Sequence, residues 1–227
     1  MADRSVLITG GTGGLGSAVT SAFLEAGWRV ILPTRHDTTR VDGAEVLPGV
    51  DLTDQTAVTA AVRAAAGRAD APLRAVVNLV GGYAGGTKVH ELPLADFEQQ
   101  FTLNLRPTFL VTRAALPHLI DAGGGSIVCV SSRAAVQPFP GSSGYIASKA
   151  AVIAFAQAVA VEYRDAGVRC NAVLPSTIDT PANRAAQPDA DFGRWVAPAD
   201  IAATIRFLAS DESSVTSGAV VPAYGRA

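Results

Sequence analysis

This 227-residue sequence predicts a doubly wound α/β fold, a parallel sheet covered by helices on both faces. Three observations carry the prediction. Apolar β-rich runs alternate with alanine-rich helical stretches from end to end. The runs are continuously apolar, as strands buried on both faces are, rather than alternating. The first run meets a cluster of glycines that opens directly into a helical pattern.

The elements follow in order. "SVLIT" (5–9) reads as the first strand, followed by glycines and a helix through about Ala26. "WRVIL" (28–32) is the second strand and "AEVLPGV" (44–50) a weaker third, interrupted by Pro48. Asp54 is placed to cap a helix that runs to Gly67. "LRAVVNLV" (73–80) is the fourth strand, and one helix covers roughly 94–120. "GSIVCVSS" (125–132) is the fifth strand, and a long helix spans 145–167, ended by Gly167. "VRCNAVLP" (168–175) is the sixth strand, 198–210 a helix and "GAVVPA" (218–223) a short last strand. The stretch 176–197, rich in Pro, Ala and Asp, reads as a surface lid or loop. No repeat or long linker divides the chain, so 1–227 is expected to be one domain.

Composition narrows the function. A net charge of −2 with scattered arginines leaves no basic stripe for nucleic acid. The apolar stretch near the N-terminus meets glycine by Gly10, too short for a signal peptide, and no segment has 18 unbroken apolar residues. Cys129 and Cys170 sit in apolar runs without CxxC spacing, which suits buried free thiols in a reducing compartment. A soluble cytoplasmic protein is expected. The dispersed His36, His90 and His118, and the absence of a carboxylate cluster with ligand spacing, argue against a catalytic metal.

"LITGGTGGLGSAV" has the strand–turn–helix context of a dinucleotide site, where glycines let backbone amides approach a pyrophosphate at a helix N-terminus. It can be parsed as Gly11-x-Gly13-x-x-Gly16 or as Gly10-x3-Gly14-x-Gly16. The tip of the second strand carries Thr34 rather than an acid, and Arg35 follows it. A guanidinium there favours the 2′-phosphate of NADP. The alternative leaves Arg35 solvated and gives the ribose to Asp37, which would permit NAD.

Lysine is rare in this chain: of 18 basic side chains only Lys88 and Lys149 are lysines. Lys149 follows Tyr145 by four residues on a predicted helix, so the two share a face. A nearby ammonium favours the phenolate and would make Tyr145 a general acid/base near working pH. Taken alone, such a pair is more readily a packed tyrosine and a solvated lysine.

The pair has company, and the chain resembles the short-chain dehydrogenase/reductase family over essentially its whole length. "TGGTGGLG" (9–16) is similar to the family's cofactor turn in the Gly10, Gly14, Gly16 parse, with Thr12 and Leu15 between them. "DLTD" (51–54) resembles its adenine-contacting segment, through Asp51 and Leu52. "NLVG" (78–81) resembles its Asn-Asn-Ala-Gly stretch, through Asn78, Val80 and Gly81. Asn104 matches the family's asparagine. Spacing selects Ser132, thirteen residues before Tyr145, over Ser131, and "YIASK" is similar to the Tyr-x3-Lys signature.

The resemblance implies a single Rossmann domain with about seven strands in the order 3-2-1-4-5-6-7. It implies reversible hydride transfer between NADP(H), or NAD(H), and a carbonyl or secondary alcohol of a small molecule. Tyr145 would exchange the proton and Ser132 would hold the oxygen. Lys149 would hold the ribose and lower the tyrosine pKa, and Asn104 would anchor a water. Pro175, Ile178 and Thr180 would contact nicotinamide. Two departures stand out. Ser176 occupies the place of a usual glycine, harmless with negative φ and strained otherwise, and Leu79 and Val80 replace smaller residues.

Substrate is expected beyond the carboxyl ends of the strands. The candidates are the "GGYAGGT" loop (81–87) with Tyr83 as an aromatic wall, Arg133 beside Ser132, and the 176–197 segment with Trp195. Each has a plainer reading as a surface group. The apolar helices around 94–120 and 145–167 suit burial between subunits, and the family is usually dimeric or tetrameric, so a homotetramer is expected. Two other readings share these motifs: a pteridine reductase, and a cofactor-binding regulator without chemistry. A sugar epimerase would need further C-terminal length.

Overall fold

The structure is a computed structural model that describes residues 2–36 and 40–226. The strands are β1 (Ser5–Thr9), β2 (Arg29–Pro33), β3 (Glu45–Leu47), β4 (Leu73–Asn78), β5 (Gly125–Val130), β6 (Val168–Pro175) and β7 (Val220–Ala223). They form one parallel sheet in the order β3-β2-β1-β4-β5-β6-β7, the order the resemblance implies. The helices are α1 (Gly16–Glu25), α2 (Gln55–Ala66), α3 (Leu94–Asn104), α4 (Arg106–Asp121), α5 (Ser143–Glu162), α6 (Pro181–Ala186) and α7 (Pro198–Ala209).

Because successive strand residues point to opposite faces, the continuous apolar runs feed two cores. Leu7, Ile31, Val76, Ile127, Cys129 and Cys170 meet α2, α4 and α5 on one face. Val6, Ile8, Val30, Val77, Val128 and Val173 meet α1 and α7 on the other. The helices present matching stripes. In α2 the buried residues are Val58, Ala61, Val62 and Ala65, spaced as one helical face. Asp54 caps that helix as expected, its Oδ1 accepting the Ala57 N–H at 2.7 Å.

Proline explains two differences from the sequence reading. β3 stops at Leu47, because Pro48 has no N–H to continue the ladder. The helix expected over 94–120 is broken at Leu105 into α3 and α4, because Pro107 cannot donate to the carbonyl one turn back. The break leaves Asn104 at the very end of α3. α5 starts at Ser143 and ends at Glu162, with Gly167 closing the following turn in a left-handed conformation. The 176–197 segment is more ordered than a loop. Thr180 caps α6 by accepting the Asn183 N–H at 3.2 Å, Pro181 starts that helix, and Ile178 bridges to Val196.

Candidate active site

In an open sheet of this order, the crevice opens at the carboxyl ends of β1 and β4, where the strand order reverses. The glycine turn follows β1 and the 79–82 turn follows β4, so both candidate loops converge there. A Cβ on Gly11 would lie 2.5 Å from Leu32 Cδ2 and 2.9 Å from Thr20 Oγ1, so that position is closed to a side chain. Gly10 has φ of 69°, and Val80 packs over it. A Cβ on Gly16 would lie 1.9 Å from the Gly10 carbonyl oxygen, so no larger residue fits this turn. A Cβ on Gly14 would strike Thr180 Cγ2 at 2.7 Å, which places Thr180 directly across the turn. At Gly13 a Cβ would meet nothing closer than 3.4 Å. No side chain caps α1; the Ser17 N–H donates to the Gly13 carbonyl at 2.9 Å, while the Leu15 and Gly16 amides precede the first intrahelical bond. Thr12 is exposed on the same turn.

The four candidate catalytic residues come together on three elements. Asn104 is fully buried and completely bonded. Its Oδ1 accepts the Gly82 N–H at 2.9 Å, and its Nδ2 donates to the Gln100 carbonyl and to Ser148 Oγ, each at 3.1 Å. It thereby ties α3 to α5 and to the turn after β4. Lys149, 5% exposed, donates from Nζ to the Val130 carbonyl at 3.1 Å. A Cβ on Gly81 would lie 2.6 Å from Asn104 Oδ1 and 2.8 Å from Lys149 Nζ, so Gly81 keeps open the space beside both. Burial brings the Lys149 ammonium down to about 8, with the Cys129 thiol acting in the opposite sense.

Ser131 and Ser132 are told apart by their bonds. Ser131 Oγ is buried and donates to the Lys149 carbonyl at 2.7 Å, whereas Ser132 Oγ is half-buried on the Tyr145 side. The spacing argument therefore selected the serine that faces the phenol. Burial raises the Tyr145 pKa, the Ser132 hydroxyl acts against that rise, and the Tyr83 phenol adds to it. Tyr145 and Lys149 share a helix face, and the Lys149 ammonium donates to the Val130 carbonyl.

The remaining predicted residues divide. Arg35 reaches Asp51 at 3.6 Å while Asp51 accepts the Thr53 N–H and hydroxyl, both at 2.8 Å. Those bonds first, and Arg35 last, hold the Asp51 carboxyl below its usual range. Arg35 and Asp51 thus border one edge of the crevice, with Leu52 packed on the core beneath. Asp37, the alternative ribose ligand, lies outside the described residues. Asn78 ends β4 with its side chain turned into the core. It is 2% exposed, and its Nδ2 donates to Thr112 Oγ1 at 3.2 Å and toward Cys129 Sγ at 3.8 Å, tying β4 to α4 and β5. Pro175 is buried at the end of β6, followed by Ile178 and Thr180 leading into α6. No described non-glycine residue has positive φ, so Ser176 is unstrained, and its Oγ donates to the Tyr224 carbonyl at 2.8 Å.

On the substrate side, Tyr83 packs edge-on against Tyr145 with ring centroids 5.1 Å apart, and its hydroxyl pairs with Ser142 Oγ at 3.0 Å. Phe139 adds a tilted ring 6.3 Å from Tyr83. Arg133 is neither free nor directed at an anion. It stacks 5.2 Å over the Tyr224 ring and donates to Gln137 Oε1 at 2.7 Å. Trp195 is not brought to this cluster; its ring pairs with Phe192 at 4.8 Å. Sequence reasoning missed Ser142, Ser148 and Tyr224. Only folding places them here, and a lone serine or a tyrosine near the chain end gives no periodic signal.

Comparison with known proteins agrees with this geometry. Residues 4–191 match the short chain dehydrogenase family. The chain is 32% identical to 2-(R)-hydroxypropyl-CoM dehydrogenase of Xanthobacter autotrophicus, over 96% of each chain. It is 34% identical to the 3-oxoacyl-(acyl-carrier-protein) reductase of Thermotoga maritima, over 95% of this chain and 94% of that one. A short-chain type dehydrogenase/reductase from Mycobacterium ulcerans superposes with a TM-score of 0.91 at 26% identity, covering 100% of this chain and 90% of that one. ElxO with NADP bound superposes at 0.86 and 26% identity, covering 97% and 96%. The protein belongs to the short-chain dehydrogenase/reductase family. Within that family its relatives include dehydrogenases and a 3-oxoacyl-(acyl-carrier-protein) reductase, and its fold is that of the family.

Proposed function

We propose that this protein is an NADP(H)-dependent oxidoreductase that interconverts a carbonyl and a secondary alcohol on a small molecule, with Tyr145 as general acid/base. The observation that carries the reading is the meeting of Asn104 and Lys149 beside Gly81, where any side chain would collide with both, with Tyr145, faced by Ser132, four residues before Lys149 on α5. The glycine turn, the uncapped start of α1 and the open space at Gly81 fit a dinucleotide. Gly10, Gly14 and Gly16 would lie along its pyrophosphate, Asp51 and Leu52 near the adenine, and Lys149 at the nicotinamide ribose.

The nicotinamide supplies the hydride chemistry when bound. This chain's residues handle the oxygen and its proton. With its pKa raised, Tyr145 holds its proton at neutral pH and is ready to donate it to a carbonyl oxygen during reduction. Ser132 donates a second hydrogen bond to the same oxygen and fixes its position. In the oxidation direction Tyr145 must accept that proton, which a cationic neighbour would favour. Asn104 positions α3, α5 and the turn after β4 around the site.

Arg35 carries the preference for NADP. Arg35→Ala should weaken NADPH binding about tenfold and leave NADH nearly unchanged, as measured by calorimetric titration, because a charge-assisted bond to a 2′-phosphate is lost only with NADPH. Equal losses for both cofactors would remove the 2′-phosphate argument.

We also propose that the protein assembles as a homotetramer through α4 and α5. Phe109, Leu116, Ile120, Phe155, Val159 and Tyr163 line an apolar groove between these helices. Arg113 and Glu162 lie on the same groove, and opposite charges on one patch suit a two-fold contact between copies. Light scattering at micromolar concentration should give a multiple of the 23.2 kDa chain mass; a single 23.2 kDa species would refute the assembly. The free buried thiols of Cys129 and Cys170 suit a reducing, cytoplasmic setting.

A further inference from the structure

The amino ends of the strands lie at the opposite end of the sheet from the active-site crevice, and a cavity of about 530 Å³ opens there. That volume is within the range of small-molecule sites, about 300–1,000 Å³. Arg4 stands just before β1, Arg74 and Arg169 are the second residues of β4 and β6, and Arg164 lies in the turn after α5; all four line the cavity. They are far apart in the chain, so the sequence shows only scattered arginines, but folding collects four of the sixteen here. Asp211 supplies the lining's one carboxylate among the described residues. A chain of net charge −2 thus concentrates positive charge around a single cavity.

The fold uses these guanidiniums unequally. Arg169 is spent on structure: its Nη1 and Nη2 donate to the Leu208, Ser210 and Thr216 carbonyls and to Ser213 Oγ at 2.8–3.3 Å, closing the carboxyl end of α7. Burial lowers the Arg169 pKa, with Asp211 acting against that fall, so this cation is short of counter-charge. Arg74 donates from Nη1 alone, to the Ala122 carbonyl that follows α4, at 2.5 Å. Arg4 is stacked 4.6 Å over the Trp28 ring and stays 3.8 Å from both Asp3 and Asp211, too long for a hydrogen bond. Arg164 is exposed, and its guanidinium makes no hydrogen bond or ion pair among the described residues. Each guanidinium carries five N–H donors. Closing helix ends therefore accounts for Arg169 and for one donor of Arg74, and leaves Arg4, Arg164 and most of Arg74 directed to the cavity.

Several unengaged guanidinium forks around one cavity match phosphoryl groups, whose oxygens accept paired N–H bonds from arginine. We propose that this cavity binds a phosphorylated small molecule with at least two negative charges, at a site separate from the crevice at the carboxyl ends of the strands. Asp211 sets the preference for a phosphoryl group over a carboxylate. A phosphate monoester, with a second pKa of about 6, still offers a proton to an acceptor near neutral pH. An ionised carboxylate has none to offer and meets Asp211 as a like charge.

Calorimetric titration of the purified full-length protein with inorganic pyrophosphate, without nicotinamide cofactor, tests the site. Wild type should bind pyrophosphate, and Arg4→Gln and Arg164→Gln should each weaken binding about tenfold, the loss of one charge-assisted bond. Arg164 is exposed and lies outside the helices and strands, so its variant should melt with wild type. Arg35→Ala, at the crevice, should leave pyrophosphate affinity unchanged, and citrate should bind wild type more weakly than pyrophosphate does. No binding by wild type, or wild-type affinity in both Arg4→Gln and Arg164→Gln, would overturn the site. A loss in Arg35→Ala with none in Arg164→Gln would also overturn it, placing the anion at the glycine turn. Citrate binding as tightly as pyrophosphate would overturn the phosphoryl assignment.

Discussion

Tyr145→Phe is expected to lower turnover by about two to four orders of magnitude while NADPH affinity stays within about twofold. Phenylalanine keeps the ring that packs edge-on against Tyr83 and removes only the hydroxyl. The α5 helix should be undisturbed, because the backbone of Tyr145 continues to accept the Ser148 hydroxyl at 2.8 Å. What disappears is the group proposed to exchange a proton with the substrate oxygen. Steady-state kinetics beside calorimetric titration of NADPH checks this. Unchanged turnover would sink the assignment of Tyr145. A parallel loss of NADPH affinity would show instead that the phenol serves binding.

Lys149→Met is expected to do two opposite things: lower turnover by orders of magnitude and raise stability at neutral pH. The ammonium is 5% exposed, and burial lowers its pKa from 10.5 to about 8. Below pH 8 the folded protein carries this buried charge at a cost of about 3 kcal/mol, an order-of-magnitude figure from the shift. Methionine fills a similar volume without charge but leaves the Val130 carbonyl without its donor, which costs about 1 kcal/mol. A net gain of about 2 kcal/mol at pH 7 should raise Tm by roughly 4–8 °C in a chain of this size.

The pH dependence fixes the sign. Between pH 8 and 10.5 the unfolded lysine binds a proton that the folded one has lost, so wild-type stability gains with rising pH across that window. The variant lacks this gain, and its advantage over wild type should shrink from pH 7 to pH 9.5. Thermal melts of both proteins at these two pH values test it. A Tm for Lys149→Met below wild type at pH 7 would show that the buried charge is not the destabilising feature. A stabilised, inactive variant would mean that the chain keeps Lys149 for chemistry at the expense of stability.

Much of this was legible in the chain. Strands buried on both faces carry unbroken apolar stretches, and β1, β4, β5 and β6 have them at 6–8, 75–77, 127–130 and 172–174, so their existence and approximate bounds could be read directly. The pairing of Tyr145 with Lys149 was legible because a helix places i and i+4 on one face whatever surrounds them. Asp54 was legible as a cap because capping needs only a local side chain. The split at Leu105 was signalled by Pro107 but hidden by apolar periodicity running through both halves. The order within 176–197 was hidden because a six-residue helix has no long pattern to detect.

The sequence by itself determined the strand and helix order, the glycine turn, and the identities of Asn104, Ser132, Tyr145 and Lys149 as a set. The elements and the glycine turn follow from local sterics and periodicity, which do not depend on distant residues, and the set of four follows from the resemblance to the short-chain dehydrogenase/reductase family. Only the tertiary structure decided where their polar atoms point. It turned Lys149 to the Val130 carbonyl, drew Asn78 into the core and stacked Arg133 on Tyr224. A side chain's direction is settled by which groups remain unsatisfied once the core is packed, and that balance is struck between residues far apart in the chain.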